Sequence, residues 1–211
     1  MPKKLLVLGA TGGTGRHVVS QALELGHEVT VLVRDPSRLT TASPRLRVVT
    51  GSVTDSPEPL TEAIRGQDAV ISALGVGNSL KSGGLIARSV PVLVQAMRSS
   101  GVRRVVFTSA YGVGPTFGEA PFIPRLFMRT LLRDLYQDKA AGEEVMQRSG
   151  LDWTLVYPVT LTDGARTSRY RAGEHLGLRG FPTVSRADVA EFLLKQVEDA
   201  TYLRRRVLIG P

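Results

Sequence analysis

A glycine-rich stretch directly after a short apolar run is the feature that most constrains the fold of this chain. The run KLLVLG (4–9) has the continuous apolar character of a strand buried on both faces. It leads into GATGGTG (9–15), and residues 15–26 then have the apolar spacing of a helix. Glycines at such a strand-to-helix turn let the main chain approach a pyrophosphate, which the amides at the helix N-terminus face. The stretch therefore predicts a dinucleotide-binding strand–helix–strand unit.

Segments typical of strands and helices alternate along the rest of the chain. Further strands are predicted at 28–33, 45–51, 68–75, 103–110 and 151–158, with a short last strand at 205–210. Helices are predicted at 60–66, 85–101, 124–150 and 185–199. Pro91 should kink the second of these or restrict its start, and Gly142 is a weak point in the third.

This alternation, with short connections, implies right-handed crossovers and an α/β fold. We expect a Rossmann-type, doubly wound parallel sheet of strand order 3-2-1-4-5-6, with a seventh strand at its edge and helices on both faces. The sequence has no internal repeat and no linker, so residues 1–211 are expected to form a single domain.

Composition narrows the class of protein. No apolar run approaches the length that spans a bilayer and no signal peptide is recognisable, so a cytoplasmic protein without membrane association is expected. The absence of cysteine excludes disulfides, and the three histidines are too scattered for a metal site. The net charge of +8 comes from dispersed basic residues without a nucleic-acid-reading motif. Nucleic-acid binding, which only the charge supports, is therefore not expected, whereas attraction of phosphorylated ligands is.

The residues after the second predicted strand indicate which dinucleotide fits. An acid at this position bonds the ribose 2′-hydroxyl of NAD(H), whereas an arginine accommodates the 2′-phosphate of NADP(H). Strand 28–33 runs into Arg34, with Asp35 one place later, and Arg38 can supply a second guanidinium. NADP(H) is therefore the expected cofactor; the alternative is that both arginines are surface charges.

Six segments, which together span nearly the whole chain, carry a resemblance to a known family: GATGGTG, EVTVLVRDPSRL, GQDAVISALG, GVRRVVFTSA, SGLDWTLVYP and SRADVA. In sequence and in order they resemble the NAD(P)H-binding, NmrA-like group of atypical short-chain dehydrogenases/reductases. Within that group they are most similar to the biliverdin reductase B/flavin reductase family. The first two are shared widely among nucleotide-binding proteins, and the full series is far more specific.

The resemblance implies a set of cofactor-binding residues. It places the phosphates at the glycine turn with the two arginines, the adenine at Ser52 and Val53, and the nicotinamide beside the end of strand 151–158. The full set is Gly9, Thr11, Gly12, Gly13, Thr14, Gly15, Arg34, Arg38, Ser52, Val53, Ala73, Leu74, Gly75, Ser109, Pro158, Val159 and Thr160. The family commonly has GD where this chain has GS (51–52), so a carboxylate contact to the adenine amine is lost or replaced.

The expected catalytic residues are Ser109, Tyr111 and Lys139. Ser109 matches the family's active-site serine, Tyr111 follows it in a loop, and Lys139 could reach the cofactor or an anionic substrate. Structural alternatives are a strand-end serine, a core tyrosine and a solvated lysine. Val159 stands where similar reductases have histidine, and no tyrosine is followed four residues later by lysine. Tyr136 is three residues from Lys139, so the two could share a helix face.

Without a well-placed acid, carbonyl reduction and sugar epimerisation lose support, whereas hydride transfer to a strong acceptor does not. The expected function is NADPH-dependent reduction of a planar conjugated acceptor: flavin first, a biliverdin-like tetrapyrrole next, or a quinone. Loops 75–84, 111–123 and 159–184 are expected to form the acceptor site.

The row Arg125, Arg129, Arg133 is interpreted as a solvated face, or alternatively as a guide for a carboxylated substrate. The competing hypothesis is an NADP(H) redox sensor that regulates a partner. A monomer or a homodimer is expected.

Overall fold

A computed structural model describes residues 1–55, 57–77, 79–119 and 130–211. Its strands are β1 (Lys4–Leu8), β2 (Glu28–Val33), β3 (Leu46–Thr50), β4 (Ala69–Ser72), β5 (Arg104–Thr108), β6 (Asp152–Pro158), β7 (Thr160–Thr162), β8 (Arg171–Gly173), β9 (Thr183–Ser185) and β10 (Arg205–Gly210). Its longer helices are α1 (Gly13–Glu24), α2 (Pro57–Ile64), α3 (Leu85–Ser100), α4 (Arg133–Gln147) and α5 (Arg186–Glu198). Two short 3₁₀ helices lie at Pro36–Arg38 and Gly114–Glu119.

The main sheet has eight strands in the order β3-β2-β1-β4-β5-β6-β10-β8. The predicted order 3-2-1-4-5-6 is confirmed, and the last predicted strand, β10, pairs in parallel with β6. The expectation that this seventh strand lies at the edge is wrong, because β8 pairs antiparallel with β10 and takes the edge position. A separate parallel pair joins β7 to β9. The sequence predicts only a loop over 159–184, where the structure has β7, β8 and the start of β9, because strands of three residues are too short to show a period.

The parallel strands are buried on both faces because helices cover both sides of the sheet. The residues of β1 from Leu5 to Leu8 and those of β5 from Val105 to Phe107 are fully buried. The helices form two groups: α1 packs on α5, and α3 packs on both α2 and α4. No helix within the described ranges is long and apolar enough to cross a membrane.

The contact between α3 and α4 fixes the position of α4, which lines part of the site described below. Asp138 of α4 accepts hydrogen bonds from the backbone N–H groups of Ile86 and Ala87 in the first turn of α3. One turn further along α4, a Cβ atom at Gly142 would lie 2.5 Å from Ile86 Cγ2 and 3.1 Å from Val90 Cγ2. Gly142 is therefore a point of close packing inside a continuous helix and not a break in it.

Two other helix predictions differ from the structure. Pro91 lies inside α3, which runs without interruption from Leu85 to Ser100. The predicted helix 124–150 corresponds to α4 over Arg133–Gln147, and the part before residue 130 lies outside the described residues. Ser185 caps α5, since its Oγ accepts the Asp188 N–H at 2.9 Å.

Candidate active site

The glycine turn brings the end of β1, the start of α1 and the residue after β4 into close contact. Gly9 has a φ of +79°, which side chains rarely adopt, and a Cβ there would lie 2.5 Å from the Ala73 carbonyl oxygen. A Cβ at Gly15 would lie 2.0 Å from the Gly9 carbonyl oxygen. Glycine is required at both positions because helix and strand approach each other at backbone distance.

The N-terminus of α1 suits a phosphate. Its N-cap residue is Gly12, which has no side chain to accept from the first-turn N–H groups, and the first turn contains no acid. By contrast, the N-terminus of α5 is capped by the Ser185 hydroxyl. The N–H groups of the first turn of α1 thus remain available to an anion, and the dipole of the helix favours negative charge there. These features fit the diphosphate of a dinucleotide.

On one side of the turn lies a cavity of about 500 Å³ with a basic end. The exposed Arg34 and Arg38 line it, and neither guanidinium makes a hydrogen bond or ion pair to another described residue. Asp35 does not line it: its carboxylate accepts from Ser37 N–H at 3.0 Å and from Ser37 Oγ at 2.6 Å. These two bonds hold the Asp35 pKa below its ordinary value. The geometry therefore presents arginine, and not the acid, to whatever occupies this end.

On the other side of the turn lies a second cavity, of about 600 Å³. Gly12 and residues 73–77 line both cavities, so the two adjoin at the turn and are together called the cleft. All but one of the seventeen predicted cofactor residues and all three predicted catalytic residues line one cavity or both. The exception, Gly15, packs beneath Gly9. Each of the three predicted acceptor loops contributes to the lining of the second cavity: residues 75–77 from the first, Tyr111 from the second, and Val159, Thr160, Leu161 and Asp163 from the third.

Ser109 is held by a buried carboxylate that the sequence did not single out. Its Oγ donates to Glu143 Oε1, and the Tyr157 hydroxyl donates to Glu143 Oε2 at 2.7 Å. All three side chains are buried. Burial raises the pKa of Glu143, and the hydrogen bonds from Ser109 and Tyr157 oppose the shift. Because the Ser109 proton points to Glu143, the lone pairs of its oxygen remain to accept a hydrogen bond.

Lys139 and Tyr136 both line the second cavity, as their spacing on a helix face suggested. Tyr136 donates its hydroxyl proton to the Tyr111 carbonyl oxygen at 3.1 Å, and burial raises its pKa to about 12. Burial lowers the pKa of Lys139, while Glu143 and Asp138 act in the opposite direction. Tyr136 is therefore a weaker acid than an ordinary tyrosine. The Lys139 ammonium, in contrast, loses its proton more readily than that of an ordinary lysine.

Sequence reasoning missed Glu143, Tyr157, Asp163 and Arg186. A glutamate on an amphipathic helix gives the same signal whether it faces water or a buried serine. Its spacing of four from Lys139 was the available hint, since i and i+4 residues share a helix face. Of the predicted arginine row, Arg133 is exposed, in keeping with a solvated face, and the other two residues lie outside the described ranges.

A family model described as NAD(P)H-binding matches residues 9–200. The chain belongs to this NAD(P)H-binding family. The match confirms the resemblance to the NmrA-like group and the prediction of a nicotinamide dinucleotide cofactor. An uncharacterised chloroplastic protein of Arabidopsis thaliana is 34% identical over 169 residues, 74% of this chain. The chain spans only 58% of the length of that relative.

Solved structures share the Rossmann-type fold of this family member. A short-chain dehydrogenase/reductase from Veillonella parvula in complex with NADP superposes with a TM-score of 0.82 at 22% identity, covering 100% of this chain and 95% of that one. ChuY, an anaerobillin reductase from Escherichia coli O157:H7, superposes with a TM-score of 0.80 at 21% identity, covering 98% of this chain and 96% of that one. At these identities the likeness shows the fold alone.

Proposed function

We propose that the chain is an NADPH-dependent reductase that transfers hydride to a planar conjugated acceptor. The observation that carries the proposal is the pair of adjoining cavities at the glycine turn. One end has Arg34 and Arg38, which have no hydrogen bond or ion pair to the other described residues, and the other end has Ser109, Tyr111 and Lys139. The first end suits a phosphorylated adenosine, and the turn suits a diphosphate. The second cavity would then hold the nicotinamide half of the dinucleotide.

The arginine end supports NADP(H) over NAD(H). Arg34 and Arg38 can donate paired N–H groups to a phosphate, which accepts bidentate hydrogen bonds. Lys81 and Arg88, which the sequence did not suggest, add positive charge to the same cavity. A ribose 2′-hydroxyl would find no carboxylate lining this cavity, because Asp35 lies outside it with its Oδ1 accepting both hydrogen bonds from Ser37.

Bound NADPH would supply the hydride, and the residues of the chain would orient the reacting groups and exclude water. The second cavity has apolar walls, among them Leu74, Val159 and Leu161, which suit a flat conjugated ring. Ser109, oriented by Glu143, accepts a hydrogen bond from the carboxamide of the nicotinamide or from the acceptor. The Lys139 ammonium stabilises negative charge that develops on the acceptor.

The titration behaviour of the site supports a strong acceptor. Tyr136 and Tyr157 both have raised pKa values, and each already donates its proton within the protein. Neither suits general acid catalysis near neutral pH. A flavin or a bilin takes up hydride without a protein acid, because solvent can protonate the product. Flavin remains the first candidate, a biliverdin-like tetrapyrrole is the next, and a quinone completes the set.

The competing proposal is a redox sensor that binds NADP(H) without turnover. The same observation favours it, since a sensor needs no acid. Purified protein should be mixed with NADPH and, separately, with FMN, biliverdin and a quinone, while the nicotinamide absorbance band is followed. Loss of absorbance with one acceptor supports the reductase. Tight NADPH binding with no oxidation by any acceptor supports the sensor instead.

Arg34→Ala tests the cofactor assignment. Loss of one charge-assisted hydrogen bond to phosphate should raise the Kd for NADPH by about tenfold to a hundredfold and leave the Kd for NADH nearly unchanged. Arg65→Ala is the matched control, because Arg65 is exposed and lies outside both cavities. Equal effects on NADPH and NADH would contradict a role for Arg34 at the 2′-phosphate.

A further inference from the structure

Arg186 reaches the glycine turn from the far end of the chain. It is the first residue of α5, and the short strand β9 leads into it. A Cβ atom at Gly13 would lie 2.7 Å from Arg186 Cδ and 2.8 Å from Arg186 Nε. The arginine side chain thus lies across the first residue of α1, in space that only a glycine at position 13 leaves open.

An ion pair with Asp163 holds the guanidinium at the rim of the second cavity. Arg186 Nη1 lies 2.7 Å from Asp163 Oδ1, and both residues line that cavity. The side chain of Asp163 is 88% exposed, whereas that of Arg186 is 24% exposed. A pair whose acid is this exposed contributes little to stability. An anion with better access to Arg186 can therefore displace Asp163.

The neighbouring charges favour a diphosphate as that anion. The first turn of α1 contains no acid, and its first residue, Gly13, lies directly against the Arg186 side chain. Another nearby cation, Arg16, uses its Nε to donate to the Thr11 carbonyl oxygen. A guanidinium beside uncapped helix N–H groups is a combination that binds phosphate oxygens well.

We propose that Arg186 binds the diphosphate of the dinucleotide and that Asp163 competes for the same guanidinium. Dinucleotide binding then breaks the Asp163 ion pair and frees the residue that follows β7. Because Thr160 and Leu161 of β7 line the second cavity, this exchange links cofactor binding to the rim of the acceptor site. The proposal rests on NAD(P)H binding by this family and is independent of whether the protein turns over an acceptor.

The test is a set of calorimetric titrations with NADPH and with 2′-AMP, which keeps the adenosine phosphate end but has no diphosphate. Arg186→Ala should raise the Kd for NADPH by about tenfold or more and leave the Kd for 2′-AMP unchanged. Arg186→Lys should fall between wild type and Arg186→Ala, because it keeps the charge but not the guanidinium geometry. Asp163→Asn should tighten NADPH binding by up to about fivefold, since it removes the competitor.

Arg166→Ala is the matched control, because Arg166 lies three residues after Asp163 but its side chain pairs with Glu24 and Glu191 outside the cleft. It should leave both Kd values unchanged. Unchanged NADPH affinity in Arg186→Ala would overturn the proposal. Equal weakening of NADPH binding and 2′-AMP binding would overturn it too, because Arg186 would then stabilise the fold and would not bind the diphosphate. Weaker NADPH binding by Asp163→Asn would refute the competition.

Discussion

Replacing Glu143 with leucine removes the acceptor of two buried hydroxyl groups, and its effect on stability can be worked from the structure. Ser109 is 4% exposed and Tyr157 is 0% exposed, so water cannot replace the lost carboxylate at either hydroxyl. Each buried hydroxyl left without a partner costs about 1–3 kcal/mol. The two together place the cost at roughly 2–6 kcal/mol, reduced by the release of a carboxyl group whose burial is itself unfavourable.

The assay is urea unfolding followed by the fluorescence of Trp153, the one tryptophan of the chain, which is 8% exposed. For a chain of this length, each kcal/mol lost should also lower the Tm by about 2–4 °C. Glu144→Leu is the matched control, because Glu144 is the adjacent residue on α4 and its side chain is 61% exposed beside Arg148. It should change the free energy of unfolding by less than about 0.5 kcal/mol.

A double-mutant cycle makes the reasoning refutable. Tyr157→Phe removes one donor to Glu143 and should cost about 1 kcal/mol in the wild-type protein. In the Glu143→Leu background the same substitution should cost nothing or restore stability, because the hydroxyl it removes no longer has an acceptor. If Tyr157→Phe has the same cost in both backgrounds, or if Glu143→Leu is as stable as wild type, the carboxylate does not hold the two hydroxyls.

Three further predictions concern the same region. Burial raises the pKa of the Glu143 carboxyl above the ordinary 4.5. The folded state therefore keeps this proton to higher pH than the unfolded state does. As pH rises from about 4.5 through the raised pKa, the wild type should lose stability relative to Glu143→Gln. Urea unfolding at several pH values checks this, and a pH-independent difference between the two proteins would contradict it. Gly142→Ala should destabilise the protein, because overpacking of about 1–3 kcal/mol against Ile86 exceeds the gain in helix propensity of about 1 kcal/mol, and thermal unfolding would show a lower Tm. Lys139→Met should slow NADPH oxidation more with anionic FMN than with a neutral quinone; equal slowing with both would remove the charge from the mechanism.

The sequence by itself determined the strand order, the glycine turn and the arginines that follow β2. Each of these depends on a local signal: a buried apolar run, glycine spacing at a strand-to-helix junction, or a residue type just after a strand. Parallel strands with right-handed crossovers then leave few ways to arrange the sheet. The predicted cofactor residues meet along one cleft for this reason, because they follow the carboxyl ends of adjacent strands.

Only the tertiary structure decided the edge of the sheet and the partners of the site residues. The strands β7, β8 and β9 have three residues each and are defined by pairing with distant strands, not by any periodicity of their own. Glu143 is buried because α4 packs where β5 and β6 end. The sequence around a helical glutamate does not indicate whether the helix packs in this way. The Arg186 side chain lies across Gly13 because β9, although remote in sequence, ends beside the glycine turn. Such contacts have no local signal, since they arise only when the sheet brings remote segments to one edge.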